Sequence, residues 1–175
     1  MLNNIMTEGE CSKLRSLIHH ANNIVLCCHV SPDGDAIGSV LGMAEVLKCM
    51  GKEPVMVVPD QFPDYLQWLP NTEKIVRYDK RSDYVDMVLK IADLVICLDF
   101  NALSRTDDME AALEACTAPR VLIDHHLNPS IACQVCVSHP NMSSTSELVF
   151  RVAWQLGLFE QLGRHFATAV YCGMM

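Results

Sequence analysis

The sequence predicts an α/β fold: a doubly wound, mostly parallel sheet with helices on both faces. Three observations predict it. Short apolar stretches alternate with helical periodicities along the whole chain, as parallel strands joined by right-handed crossover helices require. The stretches IVLCC (24–28), LVICL (94–98) and VLI (121–123) are continuously apolar, as expected of strands covered on both faces. Each is followed at once by acid or histidine, and in open parallel sheets sites gather past the carboxyl ends of the strands.

Residues 8–21 read as a helix with Leu14, Leu17 and Ile18 on one face. Asn23 to Cys28 follow as a buried strand. Asp35 to Met50 read as a helix whose Ile37, Val40, Leu41, Ala44 and Leu47 face inward, with Gly51 ending it. Pro54 to Val58 form a second strand, and FPDYLQWLP (62–70) a short helical turn between prolines. Residues 74–77 read as a short strand, Asp83 to Ile91 as a helix, Leu94 to Leu98 as a strand, 106–117 as a helix, and Arg120 to Ile123 and 132–137 as strands. Ser144-x-x-Glu147 is a capping box that opens a helix to about Leu156. A last helix covers 160–173.

The chain has 175 residues, half of them hydrophobic. That is one domain, able to bury a core without disulfides or a structural metal. Thirteen Lys and Arg against 21 Asp and Glu give a net charge of −8. This excludes a general nucleic-acid coat protein, which needs many basic phosphate contacts. The nine cysteines are odd in number and scattered, and several, such as Cys27, Cys28 and Cys97, sit in apolar runs, as reduced, buried thiols do. Cys133 and Cys136 lie in the alternating run ACQVCVS. On a strand they point to opposite faces, so joint chelation is not expected. The N-terminus lacks the basic and apolar regions of a signal peptide, and no apolar run has the ~18–20 residues of a membrane helix. The expected location is the cytoplasm, with no membrane partner.

Chemistry concentrates at three strand ends: His29, Asp33 and Asp35 after the first, Asp99 after the second, and Asp124, His125 and His126 after the third. A parallel sheet brings these to one edge. So many carboxylates repel one another unless cations neutralise them. Carboxylate oxygen mixed with imidazole nitrogen suits Mn²⁺, with Mg²⁺, Fe²⁺, Co²⁺ and Zn²⁺ as competitors, and four carboxylates are more than one ion needs. Taken alone, Asp33-Gly34-Asp35 reads equally as a turn with a helix cap. Arg105 can bind phosphate or pair with Asp107 or Asp108. Ser143, Ser144 and Thr145 can line the site or cap the next helix. Phe62, Tyr65 and Trp68 can stack a base or pack in the core.

HVSPDGDAIGS (29–39), LDFNALSR (98–105), IDHH (123–126) and SSTSEL (143–148) resemble, in order and spacing, successive motifs of the DHH phosphoesterase family. The resemblance covers nearly the whole chain and is strongest to the oligoribonuclease/pAp-phosphatase type, RecJ-like and exopolyphosphatase-related. It implies two divalent cations, Mn²⁺ first, with Mg²⁺ or Co²⁺ as alternatives. His29 and Asp33 would hold one, Asp35 and His125 the other, and Asp99 would bridge them. Asp124 would orient His125, and His126 would contact the substrate phosphate or assist proton transfer. Beside the resemblance, Arg105, Asn101 and Ser144 are the candidate substrate-binding residues. The implied reaction is hydrolysis of short oligoribonucleotides, pAp or linear dinucleotides by a water that the two metals activate. Pyrophosphatase, exopolyphosphatase and single-strand exonuclease activities are alternatives, as is a metal-binding domain without independent catalysis. The partner expected is a small nucleotide or oligonucleotide. A stable complex with long nucleic acid is not expected, and an oligomer is compatible with the sequence. The resemblance further implies that residues 1–175 form the catalytic domain, ending before the family's last metal-binding motif and without the second, DHH-associated domain.

Overall fold

The computed structural model describes residues 3–175. Its strands are β1 (Ile24–Cys27), β2 (Val55–Val58), β3 (Val76–Arg77), β4 (Leu94–Leu98), β5 (Arg120–Asp124) and β6 (Val135–Ser138). The helices are α1 (Glu8–His20), α2 (Gly34–Cys49), α3 (Tyr78–Ile91), α4 (Glu110–Ala115), α5 (Thr145–Gln155) and α6 (Arg164–Met174). The strands form one sheet in the order β3-β2-β1-β4-β5-β6, parallel at every pairing. Strand order therefore reverses between β1 and β4, the place where sites gather in open parallel sheets.

Alternate strand residues feed two cores. Ile24, Leu26, Ile96 and Ile123 pack with Leu14, Ile37, Leu148 and Phe166 of α1, α2, α5 and α6. Val25, Cys27, Cys97 and Leu122 pack on the opposite face with Val85 of α3 and Leu113 of α4. Both faces are thus buried, which is why the central strands carry no polar residue.

The closest helix crossing positions the site. A Cβ added to Gly38 of α2 would lie 2.6 Å from the Ala169 carbonyl and 3.0 Å from Gly173 Cα, and one added to Gly173 would strike Ser146 Oγ. Backbone meets backbone because these positions have no side chain. The contact clamps α2, α5 and α6 together at the end that carries the site.

Several boundaries differ from the sequence reading. The helix expected over 106–117 is a 3-10 segment, Leu103–Met109, followed by the short α4. Asp107, at φ 50° and ψ −124°, breaks the run. The helix expected from Asp83 begins at Tyr78 but is interrupted at Arg81, φ −141°. The expected strand 132–137 pairs only from Val135. No helix among the described residues is long and apolar enough to cross a membrane.

Candidate metal centre

β1 delivers His29, β4 delivers Asp99 and β5 delivers Asp124, all at or just past the strand ends. Asp99 turns the chain with a left-handed backbone, φ 67°, a conformation that Asp tolerates better than most residues and one enriched at functional sites. Its N–H still donates to the Ile123 carbonyl at 3.1 Å, so the carboxylate is held against β5. The Arg105 carbonyl accepts from Val30 N–H at 2.8 Å, tying the loop after β4 to the loop after β1.

Asp99 is only 2% exposed and faces an imidazole with each oxygen. Its Oδ2 lies 3.5 Å from His29 Nε2. Its Oδ1 lies 3.5 Å from His125 Nε2 and 3.8 Å from His126 Nδ1. Asp33 Oδ1 is 3.9 Å from His29 Nε2, and Asp35 Oδ2 is 3.6 Å from His125 Nε2. His29, Asp33 and Asp99 each bring a ligand atom within 4.8 Å of the others, as do Asp99, His125 and His126.

The histidine tautomers fit cation binding. His29 Nδ1 is 2.7 Å from the Val30 carbonyl and His125 Nδ1 is 3.3 Å from the Met142 carbonyl. A carbonyl only accepts, so each Nδ1 carries the proton and each Nε2 offers its lone pair to the carboxylates. Lone pairs facing carboxylate oxygens repel unless a proton or a cation lies between them. Without a cation the surroundings of His29 favour a proton in that place. Burial opposes this, but Asp99, the Val30 carbonyl and Asp33 outweigh it and raise the imidazole pKa above its ordinary value.

Asp35 is held by the start of α5. Its Oδ2 accepts from Thr145 N–H at 2.8 Å and its Oδ1 from Ser146 N–H at 2.7 Å, where a helix N-terminus favours negative charge. Burial and the Asp99 charge nevertheless push its pKa up to about 6, against those two bonds. Thr145 Oγ1 donates to Asp99 Oδ1 at 2.8 Å, so one residue binds both carboxylates. Sequence reasoning placed Thr145 only as a lining or capping residue and missed Ser146. The capping box marked the helix start, but nothing in it specified which distant carboxylates that start would meet.

Other expectations are corrected. Asp124 does not orient His125: its Oδ1 lies 2.7 Å from His126 Nδ1, and His125 is fixed by a backbone carbonyl instead. The two imidazoles meet edge to face, 4.8 Å between centroids and 66° between planes, so each Nδ1 finds a different partner. The Asn101 amide donates to the Leu127 carbonyl at 2.7 Å and so braces two loops. Ser144 Oγ accepts from Glu147 N–H at 3.0 Å as a helix cap. The reciprocal carboxylate reaches Ser143 N–H, one residue earlier than a capping box requires. Arg105 is exposed and pairs with neither Asp107 nor Asp108. Asp33 is both helix cap, accepting from Ala36 N–H at 3.0 Å, and neighbour of His29. Cys133 precedes β6, so strand alternation does not separate it from Cys136; burial and that neighbour push its thiol up to about 11.

Fold and site together define a doubly wound α/β protein with paired carboxylate–imidazole clusters at its switch point. The chain belongs to the DHH family: the description "DHH family, N-terminal domain" matches residues 23–174. It is 32% identical, over 155 residues and 87% of its length, to the bifunctional oligoribonuclease and PAP phosphatase NrnA of Thermus thermophilus, of which the match covers 42%. Its structure resembles that of an exopolyphosphatase-related protein from Bacteroides fragilis, with a TM-score of 0.96 and 40% identity over 99% of this chain and 51% of that one. The likeness to RecJ from Thermus thermophilus, solved in complex with Mn²⁺, is one of fold: TM-score 0.54 and 14% identity over 94% of this chain and 23% of that one. The chain thus spans about half the length of the first two relatives.

Proposed function

We propose that this chain carries the catalytic centre of a divalent-cation-dependent phosphohydrolase acting on short nucleotide phosphates, such as short oligoribonucleotides, pAp and linear dinucleotides. The observation that carries the proposal is the Asp99 carboxylate, with one oxygen toward His29 and the other toward His125, each at 3.5 Å. A carboxylate so placed would be shared by two cations. His29 and Asp33 would hold the first and Asp35 and His125 the second, Mn²⁺ suiting this mixture of oxygen and nitrogen. When bound, such a pair lowers the pKa of water and neutralises phosphate charge. The chain's own part is to hold the ligands in place and to move a proton. His126 keeps its Nδ1 proton on Asp124, which leaves Nε2, on a ring 40% exposed, free to hold or release a proton beside a phosphate oxygen. The relationship to NrnA supports the nucleotide class.

The test is release of phosphate or mononucleotide from pAp, pApA and pyrophosphate with Mn²⁺, with EDTA, and with Asp99→Asn as control. Turnover that needs Mn²⁺ and is lost in the variant is expected. Mn²⁺ binding without turnover would instead make the chain a metal-binding domain that depends on a further segment.

A further inference from the structure

We infer that Tyr65 and Trp68 form a stacking subsite for the nucleobase, next to the cation centre. This rests on the phosphohydrolase reading for the placement of the phosphate. Both rings lie in the segment after β2, where the sequence allowed either base stacking or core packing. Leu66 and Leu69 go into the core at 1% and 2% exposure, while Tyr65 and Trp68 stay 70% and 65% exposed. The segment is tied by its own backbone hydrogen bonds. Leu66 N–H donates to the Pro63 carbonyl at 2.9 Å, Gln67 N–H to the Asp64 carbonyl at 3.1 Å and Leu69 N–H to the Leu66 carbonyl at 3.1 Å. In such a tight helical turn, residues three apart fall on one face. The anchored leucines leave the two aromatics as a paired outward face.

That face opens onto the site. Tyr65 and Trp68 line a cleft of about 440 Å³ whose other walls include Asp33, Asp35 and Gly173. A phosphate held by cations at Asp33 and Asp35 would therefore share this cleft with the two rings. No Lys or Arg lines it, so a second anionic group, as in pyrophosphate or polyphosphate, finds no partner there. A neutral planar ring does, because every base offers a π-face to an aromatic side chain. The subsite thus favours nucleotides over inorganic chains of phosphate without selecting one base.

The test follows Trp68 fluorescence in a Trp154→Phe background, which leaves one indole of the chain's two. Mg²⁺ is present, and AMP, ribose 5-phosphate and adenosine are the probes. AMP should quench Trp68 saturably and bind about tenfold more tightly than ribose 5-phosphate. Adenosine should quench at higher concentration, even without Mg²⁺. In the chain with its native Trp154, calorimetry should show Trp68→Ala erasing the AMP preference and Trp68→Phe keeping it, with ribose 5-phosphate unchanged in both. Equal affinity for AMP and ribose 5-phosphate would overturn the subsite and leave the phosphohydrolase reading standing. An indole already shielded from acrylamide in the absence of nucleotide would also overturn it, by showing that protein covers the face. Adenosine quenching without Mn²⁺-dependent turnover would keep the subsite and remove the phosphohydrolase.

Discussion

Thr145 Oγ1 donates a 2.8 Å hydrogen bond to Asp99 Oδ1, and both side chains are buried. The same residue gives its N–H to Asp35, so the first turn of α5 sets the spacing of two carboxylates that arrive on different elements. Thr145→Val keeps the shape and deletes the donor. It should weaken Mn²⁺ binding about 10–100-fold, the usual effect of losing a ligand's outer partner. Thr145→Ser should restore most of it. Calorimetric titration of Mn²⁺ into the three proteins checks this, and unchanged affinity in the valine variant would refute the coupling.

Asp124 is fully buried and reaches His126, not His125. Asp124→Asn should therefore lower turnover by roughly 10–100-fold and shift its pH profile, while Mn²⁺ affinity stays near that of the parent. If Asp124 acted through His125, Mn²⁺ affinity would fall instead. Comparing the two readouts separates these roles.

Asp35 makes the cation-free protein sensitive to pH. Its carboxyl is raised to about 6 from an ordinary 3.8, first by burial and then by the charge of Asp99. Between those values the folded state holds more protons than the unfolded one, so this residue's contribution to stability falls as pH rises from about 4 to 6. The loss is on the order of 2–3 kcal/mol. His29, also raised, adds stability below about 6.5 that is lost as pH passes its higher folded value. Urea midpoints in EDTA at pH 4.5 and 7.5, for the parent and Asp35→Asn, isolate the Asp35 effect. The parent should lose more than the variant, and Mn²⁺ should recover the difference at pH 7.5.

Gly38→Ala should destabilise the fold by about 1–3 kcal/mol, because the added methyl meets backbone on α6 and neither side yields cheaply. Thermal unfolding would show it as a drop of a few degrees. Gly9→Ala in α1, whose Cβ meets nothing within 4 Å, serves as the control and should not destabilise, because Ala is the better helix former.

The layered architecture, and the three strand ends where acids and histidines gather, are legible in the residues themselves. Continuous apolar runs such as LVICL state burial on both faces, and parallel pairing then obliges His29, Asp99 and His125 to meet at one edge. These features are local in sequence or follow from a topological rule, so no coordinates are needed to reach them. Helix ends at Tyr78 and Leu103 were less legible, because backbone breaks at Arg81 and Asp107 carry no distinctive composition.

What the tertiary structure alone decided is which atom faces which. The pairing of Asp124 with His126, the hold of Thr145 and Ser146 on Asp35 across more than a hundred residues, and the use of Asn101 as a loop brace depend on rotamers and on the packing of α2, α5 and α6. The outward face of Tyr65 and Trp68 has the same origin, since an aromatic next to a leucine reads as core until the leucine takes the core position. Composition and spacing specify what chemistry a strand end can carry. The direction of a hydrogen bond is set only when separate elements dock, because it depends on distances that no local pattern contains.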